Sequence, residues 1–93
     1  MSSRGRLTRY ECARIIGIRT SQIQMSAPIL VDMTSIPMEK QGNFIYIAAL
    51  EMRARALDMI IRRPLPFGEF TEVHLRDLDI PDDLDALIAM YDQ

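Results

Sequence analysis

The sequence has no tryptophan, one cysteine, one histidine and one lysine. Cys12 alone allows no internal disulfide, and with His74 it does not complete a zinc site. No apolar run approaches the length of a membrane-spanning helix, so no membrane partner is expected. The polar start Met1-Ser2-Ser3-Arg4-Gly5-Arg6 lacks the apolar core of a secretion signal, and the chain is predicted not to be secreted. There is no Gly-rich phosphate loop and no nucleophile beside a base. Cys12 reads as a small buried hydrophobe and His74 as a half-exposed sheet residue. The run Asp77, Asp79, Asp82, Asp83 and Asp85 lacks the Gly and closing Glu of a calcium loop, so it reads as a solvated acidic face. The expectation is a chain with no catalytic residue, no metal, no cofactor and no small-molecule ligand of its own.

What is present is the composition of a folded domain, with 48% hydrophobic and 26% charged residues among 93. A chain of this size makes one small core, to which a partner can add. The net charge of −2 conceals an asymmetry. Residues 1–63 carry ten of the eleven basic residues against five acids, and residues 64–93 set Arg76 against eight acids. All basic residues except Lys40 are Arg, whose planar, bidentate guanidinium suits interfaces as well as phosphates.

Along the chain, Thr8-Arg9-Tyr10-Glu11 fits a capping box and predicts a helix from Arg9 to Met25, ending before Pro28. Cys12, Ala13, Ile16, Thr20, Ile23 and Ala27 are assigned its core stripe. Ile15, Ile18 and Met25 fall outside it, near Gln22. Gly17, in mid-helix, predicts a close approach by another chain segment. Ala27–Val31 reads as an extended crossing segment and residues 34–43 as a loop. A second helix is predicted over Phe44–Leu57, capped by Asn43, with Tyr46, Ile47, Leu50, Ala54 and Leu57 on one side and Ala48, Met52 and Met59 on another. Glu51 and Arg55 are expected to pair on its surface. Residues 59–63 and 70–75 predict a hairpin turned at Leu65-Pro66-Phe67-Gly68, and the tail predicts a short helix with Leu84, Leu87, Ile88 and Tyr91 on one stripe. The fold class is therefore α+β: two main helices packed with a C-terminal β-hairpin, plus a short C-terminal helix. Both main helices are apolar on two sides, which predicts a subunit that is only marginally stable alone.

The order Thr8-Arg9-Tyr10-Glu11-Cys12-Ala13-Arg14, Gly17-Ile18-Arg19 and Gln22-Ile23-Gln24-Met25-Ser26-Ala27-Pro28 closely resembles the signature helix of the smallest common subunit of multisubunit RNA polymerases. That family comprises the eukaryotic sixth subunit, archaeal subunit K and bacterial omega. Ile47-Ala48-Ala49-Leu50-Glu51-Met52, Arg55, Ile60-Ile61-Arg62-Arg63, Leu65-Pro66 and Gly68 continue the resemblance, which covers about residues 7–78. Thr20 for Ala, Asp58 for Pro, Pro64 for an aromatic and Val73 for Trp depart from the family's pattern, and the 34–45 loop is longer.

The resemblance implies an omega-like domain over 7–78, between a flexible basic leader (1–6) and an acidic C-terminal extension (79–93) peripheral to assembly. It implies a non-catalytic subunit, not a homo-oligomer, that binds the C-terminal region of the largest polymerase subunit, promotes assembly and stability, and resides in the nucleus. An archaeal cytoplasm or a viral factory or virion is the alternative setting. Arg14, Gly17, Arg19 and Gln22 are the interface residues it suggests, with Arg62 and Arg63 behind them. Ile15 and Ile18, off the assigned core stripe, are added to that partner-binding side. The alternative reading is a free-standing nucleic-acid-binding transcription regulator, in which the arginines neutralise phosphates.

Overall fold

A computed structural model describes residues 5–81 and 83–91. Its elements in chain order are α1 (Arg9–Gln24), α2 (Phe44–Arg53), β1 (Ile60–Pro64), β2 (Phe70–His74) and α3 (Leu84–Tyr91), joined by short 3-10 turns. The expected α+β architecture is what the chain adopts.

Helix α1 starts where its capping box requires. The Glu11 N–H donates to Thr8 Oγ1 at 3.1 Å, and the Thr8 N–H donates back to Glu11 Oε1 at 3.0 Å. The helix closes at Gln24 because Ser26 turns to a left-handed φ of 74° and leads the chain toward Pro28. Its buried residues are Cys12, Ile15, Ile16, Arg19, Thr20 and Ile23. This is an i, i+3, i+4, i+7 stripe, wider than the one read from the sequence, because α1 packs against both α2 and α3. Ile15, expected outside the core, is 4% exposed and belongs to it.

Helix α2 begins at the Asn43 cap, whose Oδ1 accepts from the Tyr46 N–H at 3.1 Å. It ends at Arg53, four residues before the predicted end, because Arg55 adopts φ 58° and reverses the chain. The Arg55 guanidinium then holds the carbonyls of Arg76 and Leu78, at 3.3 and 2.9 Å. The expected surface pair with Glu51 is therefore absent; Glu51 is fully buried. Ile47, Ala48 and Met52 are also fully buried, and α2 contacts α3 as well as α1. The second apolar side of α2 is covered by the chain itself.

The hairpin pairs antiparallel from Ile60 opposite His74 to Pro64 opposite Phe70. Its connection carries Phe67 at φ 65° and Gly68 at φ 78°, the latter in the region where glycine is favoured. The acidic extension, expected to be peripheral to assembly, supplies a helix to the fold itself. Leu87 of α3 is fully buried in the common core, and Leu84, Ile88 and Tyr91 pack against it. At the other end, the Leu7 N–H donates to the Asp79 carbonyl at 3.3 Å, and Gly5 and Arg6 take part in the same bridge. Residues 5 and 6 of the expected leader are thus tied to the domain, while residues 1–4 and Asp82 lie outside the described residues.

Candidate partner-binding face

Four of the eight residues singled out from the sequence meet at one groove. It lies between the first three turns of α1 and strand β1, with a volume of about 710 Å³. Ile15 and Ile18 form its α1 wall with Arg14, and Ile60, Ile61 and Arg62 of β1, with Met59 just before the strand, form the facing wall. Ile18 is 41% exposed and Ile60 56%, so a good deal of apolar surface faces outward here.

The polar rim is largely engaged within the chain. Arg63 grips Glu11 with two bonds of 2.9 Å and donates to the Arg6 carbonyl at 2.8 Å, fastening the hairpin to the start of α1. That guanidinium holds the Glu11 carboxyl below the usual range and is itself made harder to deprotonate. Arg62 lies over the Phe70 ring at 4.2 Å and 3.6 Å from Glu72, with its side chain still mostly exposed. Arg14 donates to the Tyr10 hydroxyl at 3.4 Å.

The other sequence candidates point elsewhere. Arg19 is 5% exposed and turned inward, where Nε donates to Glu51 Oε1 at 2.5 Å and Nη2 to Oε2 at 3.1 Å. It also donates to the Pro28 carbonyl and, at 3.2 Å, to Gln22. The remaining capacity of Glu51 is met by the Leu30 N–H at 2.7 Å. Arg19 therefore belongs to an internal network that fastens α1, α2 and the crossing segment together, and exposed Gln22 rests against it. Gly17 faces α3: a Cβ there would stand 3.3 Å from the Tyr91 ring. The close approach that the glycine signals is made by this chain's own third helix. The groove also includes Tyr10, Met59, Ile60 and Pro64, which the sequence reading did not select. Their signal was available in Tyr10 four residues before Arg14 and Ile60 on the outward phase of β1.

Among the described residues no nucleophile stands beside a base. Cys12 is buried beside Met52, Sγ to Sδ 4.0 Å, and burial pushes its thiol up to about 11. His74 Nδ1 stands 3.8 Å from Asp58, and Arg76 stands 3.9 Å from the same carboxylate, a loose surface cluster. Among the described residues no group of His, Cys, Asp or Glu is placed to hold a metal ion, and no helix is long and apolar enough to cross a membrane.

Comparison with known proteins gives the chain its relatives. It is 42% identical over 71 residues to the DNA-directed RNA polymerase subunit Rpo6 of Saccharolobus solfataricus, covering 76% of this chain and 72% of that one. The chain belongs to the Rpo6/RPABC2 family. It is also 39% identical over 74 residues to subunit rpabc2 of DNA-directed RNA polymerases I, II and III from Dictyostelium discoideum, covering 80% of this chain and 52% of that protein. To the Saccharomyces cerevisiae RPABC2 it is 38% identical over 72 residues, covering 77% of this chain and 43% of that protein. The chain thus spans about half the length of these eukaryotic family members. No protein-family model matches it.

Proposed function

We propose that this Rpo6/RPABC2 family member is a non-catalytic subunit of a DNA-directed RNA polymerase that binds the largest subunit, at its C-terminal region, and promotes assembly. The observation that carries the reading is the α1–β1 groove. It gathers Arg14, Ile15, Ile18 and Arg62 on a chain whose relatives carry polymerase-subunit names. An apolar floor rimmed by arginines is suited to a protein partner, since Arg combines apolar stacking with charge-assisted bonds. The mechanism is linkage: a subunit that binds only the native form of its partner stabilises that form by mass action. The nucleic-acid reading has less support, because Arg19, Arg55 and Arg63 are already bonded to carboxylates or carbonyls of the chain. A polymerase subunit of this family would reside in a nucleus or an archaeal cytoplasm.

The test is co-expression of the tagged chain with the polymerase of its source. Stoichiometric recovery with the largest subunit, resistant to nuclease, is expected. Recovery of nucleic acid without polymerase would overturn the reading.

A further inference from the structure

The β1 wall of the groove offers main chain as well as side chains. In the hairpin register Ile60 stands opposite His74 and Arg62 opposite Glu72. The bonds that bracket this ladder, from the Leu75 N–H to the Met59 carbonyl and from the Leu65 N–H to the Glu69 carbonyl, both 2.8 Å, fall on odd-numbered positions of the first strand. Antiparallel hydrogen bonding alternates along a strand, so Ile60 and Arg62 turn their N–H and C=O groups away from β2. The sheet has two strands, and among the described residues no other strand covers that side. Met59, Ile60, Ile61, Arg62 and Pro64 all line the groove. Successive strand residues point to opposite faces, so a groove that meets them all runs along the strand's edge.

We propose that the free edge of β1 is a strand-addition site, on which an extended segment of the polymerase partner pairs with Ile60 and Arg62 inside the groove. This rests on the groove being the polymerase-docking face. Main-chain bonds supply the register, and alternate apolar side chains of the segment meet Ile15, Ile18 and Met59. Charge complementarity sets the remaining feature. Glu11 is engaged by Arg63 and Glu72 lies against Arg62, whereas Arg14 has only the Tyr10 hydroxyl among the described residues. The segment therefore carries a carboxylate within reach of Arg14.

Amide hydrogen exchange of the wild-type chain, free and assembled with the polymerase of its source, tests this directly. The Ile60 and Arg62 amides are expected to exchange roughly tenfold or more slowly in the assembly. If the chain co-purifies with polymerase and both amides exchange as in the free chain, strand addition is overturned while docking stands. If the wild-type chain does not co-purify, docking and strand addition fall together. Ile60→Pro removes the outward N–H at an edge position that tolerates proline, and Ile60→Val retains it. Recovery with polymerase is expected to be roughly tenfold lower for the proline variant than for the valine variant. Equal recovery of two folded variants overturns the proposal, and if the proline variant does not fold, the wild-type exchange decides. Protection of both amides in the free chain, together with a dimer in sedimentation, would assign the edge to a second copy and overturn the partner assignment.

Discussion

Arg19 of α1 and Glu51 of α2 form a bidentate ion pair inside the core, with side chains 6% and 0% exposed. The pair, 32 residues apart in sequence, joins two helices and satisfies the Leu30 N–H and the Pro28 carbonyl of the segment between them. Removing one partner leaves a buried charge unanswered, which costs about 3–5 kcal/mol. Arg19→Ala is therefore expected to act on folding, lowering the urea midpoint of the isolated chain. Arg19→Ala with Glu51→Ala should lose less than the sum of the single variants, and strict additivity would show that the two do not couple.

Ile15 lies in the core and Ile18 on the groove surface, although they are one turn apart. Ile15→Ala should destabilise the domain by about 2–4 kcal/mol, while Ile18→Ala should cost well under that. Thermal melts of the two variants check this, and equal losses would place Ile18 in the core.

Glu11 makes the fold pH-sensitive in a defined direction. Its carboxyl is held below the ordinary value of 4.5, chiefly by the Arg63 guanidinium. The ionised form is favoured by folding, so the contribution is complete above that value and lost as pH falls through it and lower. The loss is expected to be ~1 kcal/mol. Glu11→Gln preserves a capping-box residue while removing the charge, so its stability should fall less steeply between about pH 5 and pH 3. Parallel denaturation curves at the two pH values check it.

Helix α3 completes the core. Leu87→Ala is expected to cost about 2–4 kcal/mol. Truncation after Asp83 should abolish the cooperative melt, since Leu87 and the Tyr91 contact with Gly17 both go. A truncated chain that melts like the full one would show that α3 lies outside the cooperative core.

Much of the fold was legible because its signals are local. The capping box at Thr8 and Glu11, the Asn43 cap, the Pro66–Gly68 turn and the alternation in β1 each depend on residues a few positions apart. What was misread depends on tertiary pairing. Cys12, Ile15, Ile16, Thr20 and Ile23 define a stripe with Arg19 at its centre, yet an arginine there reads as surface until its buried carboxylate is found on another helix. Spacing pairs Glu51 with Arg55 for the same reason. Gly17 signals a contact point, but spacing alone does not distinguish a partner from the chain's own α3. The groove escaped full description because half of its wall is contributed by β1, about 40 residues away from α1 in sequence.

The central claim is that the α1–β1 groove, and not the core-facing side of α1, binds the polymerase. Ile18→Asp tests it in one variant, with the melting temperature of the free chain and its recovery with the largest polymerase subunit measured side by side. The carboxylate is hydrated on the free chain but buried unpaired at the interface, where it costs several kcal/mol. The account predicts a melting temperature close to wild type and loss of co-purification. A variant that folds and still co-purifies at the wild-type level would contradict it.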